Sequence, residues 1–238
     1  MKSSPTPPEP SQAPPSGRKP RADGLESRRA ILLAAANLAT TRSLEGLSIG
    51  DLAKHIGMSK SGLYAHFKSK EELELAAIET ARKIFQCEVI DRVGEADSGV
   101  AQVMALSEAF LDHLARKVFL GGCFFATVAA QLASRPGRAR DLVLQVHAQW
   151  AGLIVAALRR AIAGGEIPAD ADVEQLVFEI TAMMLRANFA WTISASPAVL
   201  DQCRVGVRHV LERAASASAR SVPPKPRRSP RRAKRSSR

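Results

Sequence analysis

The distribution of proline constrains the fold of this 238-residue chain more than any other sequence feature. Seven of the 14 prolines lie in residues 1–20 and four in residues 221–238, so only Pro136, Pro168 and Pro197 interrupt the long segment between them. Apolar residues in that segment recur every three or four positions, and no stretch alternates as a half-buried strand would. Each of the three internal prolines stands at a break between helical patterns, where proline suits a first helical turn. The sequence therefore predicts an all-α protein.

Basic charge is concentrated at the two ends of the chain. Of the formal net charge of +11, residues 220–238 contribute +9 and residues 1–21 contribute +3, which leaves the rest at −1. A segment rich in proline and charge cannot bury enough apolar surface to offset the entropy lost on ordering. We therefore expect disordered tails over residues 1–24 and 217–238, with a nearly neutral folded body over residues 25–216.

The remaining composition excludes several classes of protein. No apolar run approaches the roughly 20 residues of a membrane span, and the Pro/Ser-rich N-terminus lacks the apolar stretch of a secretory signal. The three cysteines, Cys87, Cys123 and Cys203, are odd in number and far apart, which argues against a disulfide framework or a zinc knuckle. We expect a cytoplasmic protein with no membrane partner, no cofactor and no bound metal.

Nine helices are predicted in the body. The first is amphipathic, with Ile31 and Ala35 on one face. A long fourth helix begins at Ser69, where Ser-Lys-Glu-Glu has the form of a capping box. Residues 25–70 are predicted to form a three-helix module, and residues 71–216 a larger helical bundle. The predicted helices lie at about 26–41, 48–55, 59–66, 69–93, 100–117, 121–134, 137–163, 171–194 and 197–215.

The segment 47–67 carries the most informative functional signal in the chain. Ser48 and Ser59 can each cap a short helix, since serine accepts a backbone N–H at this position. Gly57 lies between the two helices and permits a turn with a left-handed backbone. Two short helices that meet across a glycine turn have the geometry of a helix-turn-helix, whose second helix enters the major groove of DNA.

The same residues resemble the DNA-binding domain of TetR-family transcriptional regulators over roughly 27–75. The most specific part is Tyr-Ala-His-Phe at 64–67, followed by Ser-Lys-Glu-Glu-Leu at 69–73. The resemblance implies a dimeric repressor whose larger helical domain binds a small molecule and then releases DNA. Gly50 departs from the family pattern, and glycine inside a short helix costs up to about 1 kcal/mol relative to alanine. The DNA-binding residues implied are Ser48, Ser59, Lys60, Ser61, Tyr64, His66 and Lys70.

Each of these side chains also has a purely structural interpretation. Tyr64 is the only tyrosine in the chain, and half-buried packing is the alternative to a phosphate contact. His66 could be an ordinary solvent-facing helix residue. Lys70 lies at the start of the fourth helix, where the resemblance implies a contact to a phosphate. Only their positions distinguish Lys60 and Lys70 from other surface lysines.

Aromatic residues concentrated in the larger domain indicate an adaptable apolar cavity. Nine of the 11 aromatic side chains lie beyond residue 70, and methionines nearby would let the walls adjust. Polar residues on apolar helical faces point the same way, because a buried polar group needs a partner and a ligand can supply it. Plain core packing and internal hydrogen bonds are the alternatives. The candidate effector-binding residues are Phe110, His113, Phe124, His147, Trp150, Met184 and Asn188.

Two C-terminal helices are predicted to form a dimer interface, pairing across a two-fold axis as a four-helix bundle. In the alternative, both apolar stripes face only their own subunit. The run Gly-Gly-Cys-Phe-Phe at 121–125, with Arg-Pro-Gly at 135–137, resembles a C-terminal subtype of the TetR family. The predicted interface residues are Val173, Leu176, Ile180, Val199, Cys203, Val207 and Val210.

The sequence as a whole predicts a sequence-specific DNA-binding regulator. Its expected partners are palindromic operator DNA, a small and largely apolar effector, and a second copy of the chain. No motif for a nucleophile–base set, a catalytic metal or a phosphate loop is present, so an enzyme is disfavoured. Two alternatives stay open, namely a non-specific nucleic-acid-binding protein driven by the basic tail and a carrier of apolar small molecules. The sequence does not distinguish repression from activation.

Overall fold

The computed structural model describes residues 20–220, with side chains for residues 24–216. This part of the chain forms nine α-helices and one π-helical turn and contains no strand, which confirms the all-α prediction. The helices are α1 (Pro20–Arg42), α2 (Ile49–His55), α3 (Lys60–His66), α4 (Lys70–Phe85), α5 (Gly99–Ala115), α6 (Phe124–Leu132), α7 (Arg138–Ala163), α8 (Val173–Ser194) and α9 (Pro197–Arg220).

The two terminal helices are longer than predicted. Helix α1 begins at Pro20, where proline's missing N–H costs nothing, so residues 20–24 are helical rather than part of a disordered tail. Helix α9 continues to Arg220, five residues past its predicted end at 215. The rest of the predicted tails, residues 1–19 and 221–238, lies outside the described residues.

The long fourth helix is interrupted, although its start is as predicted. The Ser69 hydroxyl accepts the N–H of Glu72 at 3.1 Å, which is one half of the expected capping box. The Glu72 carboxylate accepts the N–H of Lys68 at 2.9 Å instead of that of Ser69. After Phe85 the helix widens into a π-helical turn, Gln86–Ile90, where the sequence predicted regular helix to residue 93.

One continuous hydrophobic core runs through both parts of the molecule. In the N-terminal module, Leu52, Leu63 and Phe67 are completely buried, as their spacing predicts. Helix α1 packs on α4 and α6, while α5, α7, α8 and α9 form the larger bundle. At the junction, Gln131 of α6 accepts the backbone N–H of Leu44 at 2.9 Å. The N-terminal module is therefore bonded directly to the bundle.

Helices α7 and α8 are long and apolar enough to cross a membrane by length and composition alone, contrary to the expectation from sequence. Each, however, buries one stripe of side chains against neighbouring helices, including Ile154 on α7 and Ile180 on α8. Each also carries charged residues on its other face, such as Arg159 and Arg186. This is the pattern of a helix that packs in the core of a globular bundle.

Candidate functional site

The two short helices of the N-terminal module are fixed by side-chain caps and a glycine turn. The Ser48 hydroxyl accepts the N–H of Asp51 at 3.0 Å and donates to its carboxylate at 2.5 Å. The Ser59 hydroxyl accepts the N–H of Gly62 at 3.0 Å. Gly57 between the helices has a φ of +70°, a conformation in which glycine is not strained. The predicted helix-turn-helix is present, and its two cap serines, Ser48 and Ser59, stabilise the N-terminal ends of its helices.

Helix α3 presents a polar face to solvent. Lys60 and Ser61 are exposed, and 47% of the Tyr64 side chain is exposed, so its ring is not enclosed in the core. We call these three residues the recognition surface. His66 is less available, since it is half-buried beside Phe67 with ring centroids 6.4 Å apart. A face of this kind suits contacts to phosphates and base edges.

Lys70 lies at the first position of α4 and is already engaged. Its amine donates to the backbone carbonyl of Glu45 and lies 3.8 Å from the carboxylate of Glu74. Glu74 is buried and is also bound by Arg135 of the larger domain at 3.1 Å. Because an ammonium group has three donors, Lys70 supports the domain junction and retains one N–H for a phosphate.

A cavity of about 230 Å³ lies among helices α4 to α8. Its walls are mainly aromatic and aliphatic, with no charged side chain among the described residues that line it. The cavity confirms that the larger domain encloses an apolar space, as the concentration of aromatic residues predicted. Four of the seven candidate effector-binding residues line it, namely Phe110, His147, Trp150 and Met184.

The other three candidates do not line the cavity. His113 is buried behind Phe85, with ring centroids 5.9 Å apart, and neither of its ring nitrogens has a hydrogen-bond partner among the described residues. Phe124 is completely buried in the core. Asn188 is occupied internally, since its side-chain oxygen accepts the backbone N–H of Cys123 at 2.7 Å. Phe124 therefore follows the alternative of plain core packing. Asn188 follows the alternative of an internal hydrogen bond.

Sequence reasoning missed eight residues that line the cavity. The neighbouring Phe125, rather than Phe124, faces the cavity, a difference of one helical position that periodicity does not resolve. The alanines line it because small side chains leave the space open, and no sequence signal marks them. Burial raises the pKa of the Cys123 thiol to about 11, so it stays neutral. The missed residues are Phe85, Cys123, Phe125, Ala126, Val146, Ala151, Thr181 and Leu185.

The stripes predicted for the dimer interface mostly face inward. Within one protomer five of the seven residues are buried in the core: Leu176, Ile180, Cys203, Val207 and Val210. Val173 is half-buried against the same core. Only Val199 and Cys203 border a surface groove, which runs between α8 and α9. The alternative left open by the sequence, that the stripes face their own subunit, therefore holds for most of these residues.

A different stripe on α8 is apolar and exposed. Phe178, Leu185, Phe189 and Ile193 follow one another at intervals of seven, four and four residues, and between 46% and 71% of each side chain is exposed. Such spacing puts them on one face of the helix. Monomeric proteins rarely expose a contiguous apolar surface without a partner.

A capped helix-turn-helix joined to a larger helical bundle defines a class of protein, the helix-turn-helix DNA-binding regulators. The comparisons with known proteins specify the family. The model of bacterial regulatory proteins of the tetR family matches residues 31–77, and the tetracyclin repressor-like C-terminal domain matches residues 99–207. Together they span about two thirds of the chain. The protein belongs to the TetR family of transcriptional regulators and is a DNA-binding regulator, not an enzyme.

Individual relatives are distant but extend over most of the chain. The transcriptional regulator AcuR of Cereibacter sphaeroides is 24% identical over 174 residues, which are 72% of this chain and 79% of that protein. A TetR regulator from Chloroflexus aurantiacus has a TM-score of 0.72 and 26% identity, covering 80% of this chain and 95% of its own. AibR, in complex with isovaleryl coenzyme A and operator DNA, has a TM-score of 0.63 and 24% identity, covering 75% and 94%.

Proposed function

We propose that this protein is a cytoplasmic, homodimeric repressor that leaves a palindromic operator when a small, largely apolar molecule occupies the cavity. The observation that carries the proposal is a single segment, residues 120–123, that touches the cavity, helix α8 and helix α1 at once. A repressor of this kind requires such a connection. The effector alters the affinity for the operator only through a conformational change that affects both binding sites.

On the DNA side, the proposal rests on the recognition surface of α3. Lys60 supplies a positive charge for phosphate, while Ser61 and Tyr64 offer hydroxyl groups to phosphates or base edges. Ser48 and Ser59 lie close by at the N-terminal ends of α2 and α3, where the Ser48 hydroxyl donates to Asp51 and the Ser59 hydroxyl lies 3.2 Å from that of Ser61. Two copies of α3 in a dimer would read two half-sites about one helical turn of DNA apart, or a multiple of it.

On the effector side, the cavity is enclosed mainly by the rings of Phe85, Phe110, Phe125 and Trp150. Phe85 meets both Phe125 and Trp150 edge to face, and the ring centroids of Phe85 and Trp150 lie 5.4 Å apart. A largely apolar guest that fills this space gains hydrophobic free energy without leaving a buried charge unpaired. The fold neighbour AibR was crystallised with both a small ligand and operator DNA, which is consistent with a similar arrangement.

The connecting segment is bonded at both ends. Toward α1, the N–H of Leu120 donates to the Asn37 side chain and the N–H of Gly121 to the Thr40 hydroxyl, both at 3.1 Å. Toward α8, the N–H of Cys123 donates to Asn188. Since Cys123 also lines the cavity, a ligand that displaces this residue would displace α1 and, with it, the helix-turn-helix.

Gly121 and Gly122 of this segment are packed so closely against α1 and α8 that neither position has room for a side chain. A Cβ at Gly121 would lie 2.2 Å from the Thr40 carbonyl oxygen, and one at Gly122 would lie 2.4 Å from the Asn188 oxygen. Gly122 also has a φ of +84°, which disfavours other residues. Contacts this close transmit small displacements, because packed groups do not compress.

The homodimer is proposed to form through the exposed α8 stripe of Phe178, Leu185, Phe189 and Ile193 and the groove beside α9. That groove measures about 210 Å³ and is bordered by Val199 and Cys203, two of the residues predicted for the interface. Leu185 belongs to the stripe and also lines the cavity. Dimerisation would therefore cover one wall of the effector site.

The proposal is tested with a variant that fills the cavity. Ala151→Phe places a ring in the space, and Ala148→Phe makes the same change on the exposed face of α7 as a control. Operator binding is measured by fluorescence anisotropy while a library of small apolar compounds is screened for release. We expect compounds that release the wild type and Ala148→Phe but not Ala151→Phe. A compound that releases all three proteins equally would contradict the cavity as the effector site.

A further inference from the structure

The few polar groups of the cavity specify the chemistry of its occupant. Apart from hydrophobic and aromatic side chains, only Cys123, His147 and Thr181 line it. With no arginine or lysine in its walls, the cavity offers no partner for a carboxylate or phosphate. Burying such an anion unpaired is strongly unfavourable, so an uncharged occupant is favoured.

His147 presents a hydrogen-bond acceptor. Its Nε2 lies 3.2 Å from the backbone carbonyl oxygen of Phe125. A carbonyl oxygen only accepts hydrogen bonds, so Nε2 must carry the proton in this contact. In the neutral ring the other nitrogen, Nδ1, is then unprotonated and accepts. The Phe125 carbonyl therefore fixes the tautomer of the cavity histidine.

Thr181 also presents an acceptor. Its hydroxyl donates to the backbone carbonyl of Val177 at 2.7 Å, one turn earlier in α8. This bond uses the only hydroxyl proton, which leaves the lone pairs of the oxygen to accept from another molecule. The third polar group, Cys123, is a neutral thiol whose sulfur already receives the backbone N–H groups of Phe125 and Ala126. Besides the indole N–H of Trp150, the strong polar groups of the lining are thus acceptors.

The aromatic walls define the shape of the occupant. Phe85 makes near-perpendicular ring contacts with Phe125 at 5.9 Å and with Trp150 at 5.4 Å. Such walls favour a flat ring, because aromatic pairs prefer edge-to-face or offset geometry. The volume, about 230 Å³, exceeds the roughly 150 Å³ of an apolar cavity that holds benzene. One ring with a small substituent therefore fits.

Given that the cavity is the effector site, as proposed above, we infer that the effector is an uncharged monocyclic aromatic molecule that donates a hydrogen bond, a phenol being the simplest example. The ring lies among Phe85, Phe125 and Trp150, and the hydroxyl proton meets His147 Nδ1 or Thr181 Oγ1. A carboxylated or methylated analogue of the same ring either adds an unpaired charge or lacks the donor.

Four probes of similar size test this inference on the full-length protein: phenol, anisole, toluene and benzoate. Binding is followed by Trp150 fluorescence in a Trp191→Phe background, since the chain has two tryptophans. We expect phenol to bind about five- to tenfold more tightly than anisole or toluene, the factor typical of one hydrogen bond. Benzoate should bind most weakly. Thr181→Val removes one acceptor at nearly constant shape, so it should weaken phenol severalfold and leave toluene unchanged.

The outcomes separate this inference from the proposed function. Equal affinity for phenol and toluene would overturn the requirement for a donor, and tightest binding by benzoate would overturn the uncharged class. Failure of all four probes to bind would overturn the aromatic class. Binding that Ala151→Phe leaves intact would show that the probes sit elsewhere, which overturns the inference as well. Phenol binding that follows the expected order without releasing operator DNA would support the ligand class and contradict the proposed repressor mechanism.

Discussion

His113 is a buried titratable residue whose ring nitrogens have no hydrogen-bond partner in the part of the chain that the structure describes. Only 1% of the residue is exposed, and its ring packs edge-on against Phe85 and Phe119. Burial, together with the nearby Arg116 guanidinium, lowers the pKa of His113 from 6.5 to about 4. The ring is therefore neutral at physiological pH and acts as part of the core next to the cavity wall.

This buried ring predicts a loss of stability in mild acid. In the unfolded chain the imidazole protonates below pH 6.5, whereas in the folded protein it stays neutral to about pH 4. Stability is therefore lost as the pH falls through this window, by an amount on the order of 3 kcal/mol. His113→Phe should remove this part of the pH dependence, and His209→Gln, on the exposed face of α9, should not. Urea unfolding at pH 7.5, 6 and 5 measures the free energy of unfolding of each variant. If His113→Phe kept the pH dependence of the wild type, His113 would not be its source.

At the residue scale, the sequence predicted the exposed face of α3 better than it predicted the lining of the cavity. Lys60, Ser61 and Tyr64 follow a short, capped motif with little freedom, and the structure leaves all three exposed. The cavity is assembled from five helices, so its lining depends on the rotation of each. A polar residue on an apolar face, such as Asn188, indicated only that some partner exists. That partner is the backbone of Cys123, not a ligand.

At the scale of elements, the segment 120–123 between α5 and α6 packs closely against both α1 and α8. Gly122→Ala is expected to destabilise the protein by roughly 2–4 kcal/mol, from its left-handed backbone and from the clash with Asn188. Gly152→Ala is a matched control, because Gly152 lies within α7 and a Cβ there meets nothing within 4 Å.

The control variant Gly152→Ala should stabilise the protein by about 0.5–1 kcal/mol, the usual gain of alanine over glycine in a helix. Both variants are compared by urea denaturation at neutral pH. Two variants with the same free energy of unfolding would show that the segment is not tightly packed. We also expect Gly122→Ala to alter operator affinity, whereas Gly152→Ala should not.

The helices themselves were largely predictable, and their exceptions have physical causes. Serine caps at Ser48, Ser59 and Ser69 gave the starts of α2, α3 and α4, because capping is a local interaction. The π-helical turn after Phe85 was not predictable, since it depends on packing rather than on local sequence. Helix α8 carries two apolar stripes, and periodicity does not state which one faces the core, so the predicted interface residues Leu176 and Ile180 are buried within the protomer.

At the scale of the whole molecule, the exposed α8 stripe predicts a dimer that charge can disrupt. Phe189→Glu places a carboxylate at the centre of the proposed interface, where its desolvation is unfavourable. Leu144→Glu introduces the same charge at an exposed leucine on α7, outside the stripe. Sedimentation equilibrium should give a dimer for the wild type and Leu144→Glu, and a monomer for Phe189→Glu. A wild-type monomer, or a dimeric Phe189→Glu, would contradict the proposed interface.

The distribution of charge also bears on how the whole molecule meets DNA. Most of the net positive charge lies in the terminal segments, whereas the folded body is nearly neutral. Charge alone gives affinity that does not depend on sequence. Preference for one site must therefore come from the recognition surface, and substitutions there distinguish a specific regulator from a non-specific nucleic-acid-binding protein.

The most direct measurement is the affinity of the full-length protein for a duplex selected from random DNA, compared with a scrambled duplex. The account predicts a palindromic selected site and a clear preference for it by the wild type. Lys60→Ala removes a phosphate contact and should weaken binding to both duplexes. Tyr64→Ala should lose the preference for the selected site, because a loss of about 1–3 kcal/mol per base contact counts in both half-sites. Lys83→Ala, a lysine of α4 outside the surface, should keep it. Wild-type affinity for the selected site in the Lys60 and Tyr64 variants, with dimer and fold intact, would contradict the account.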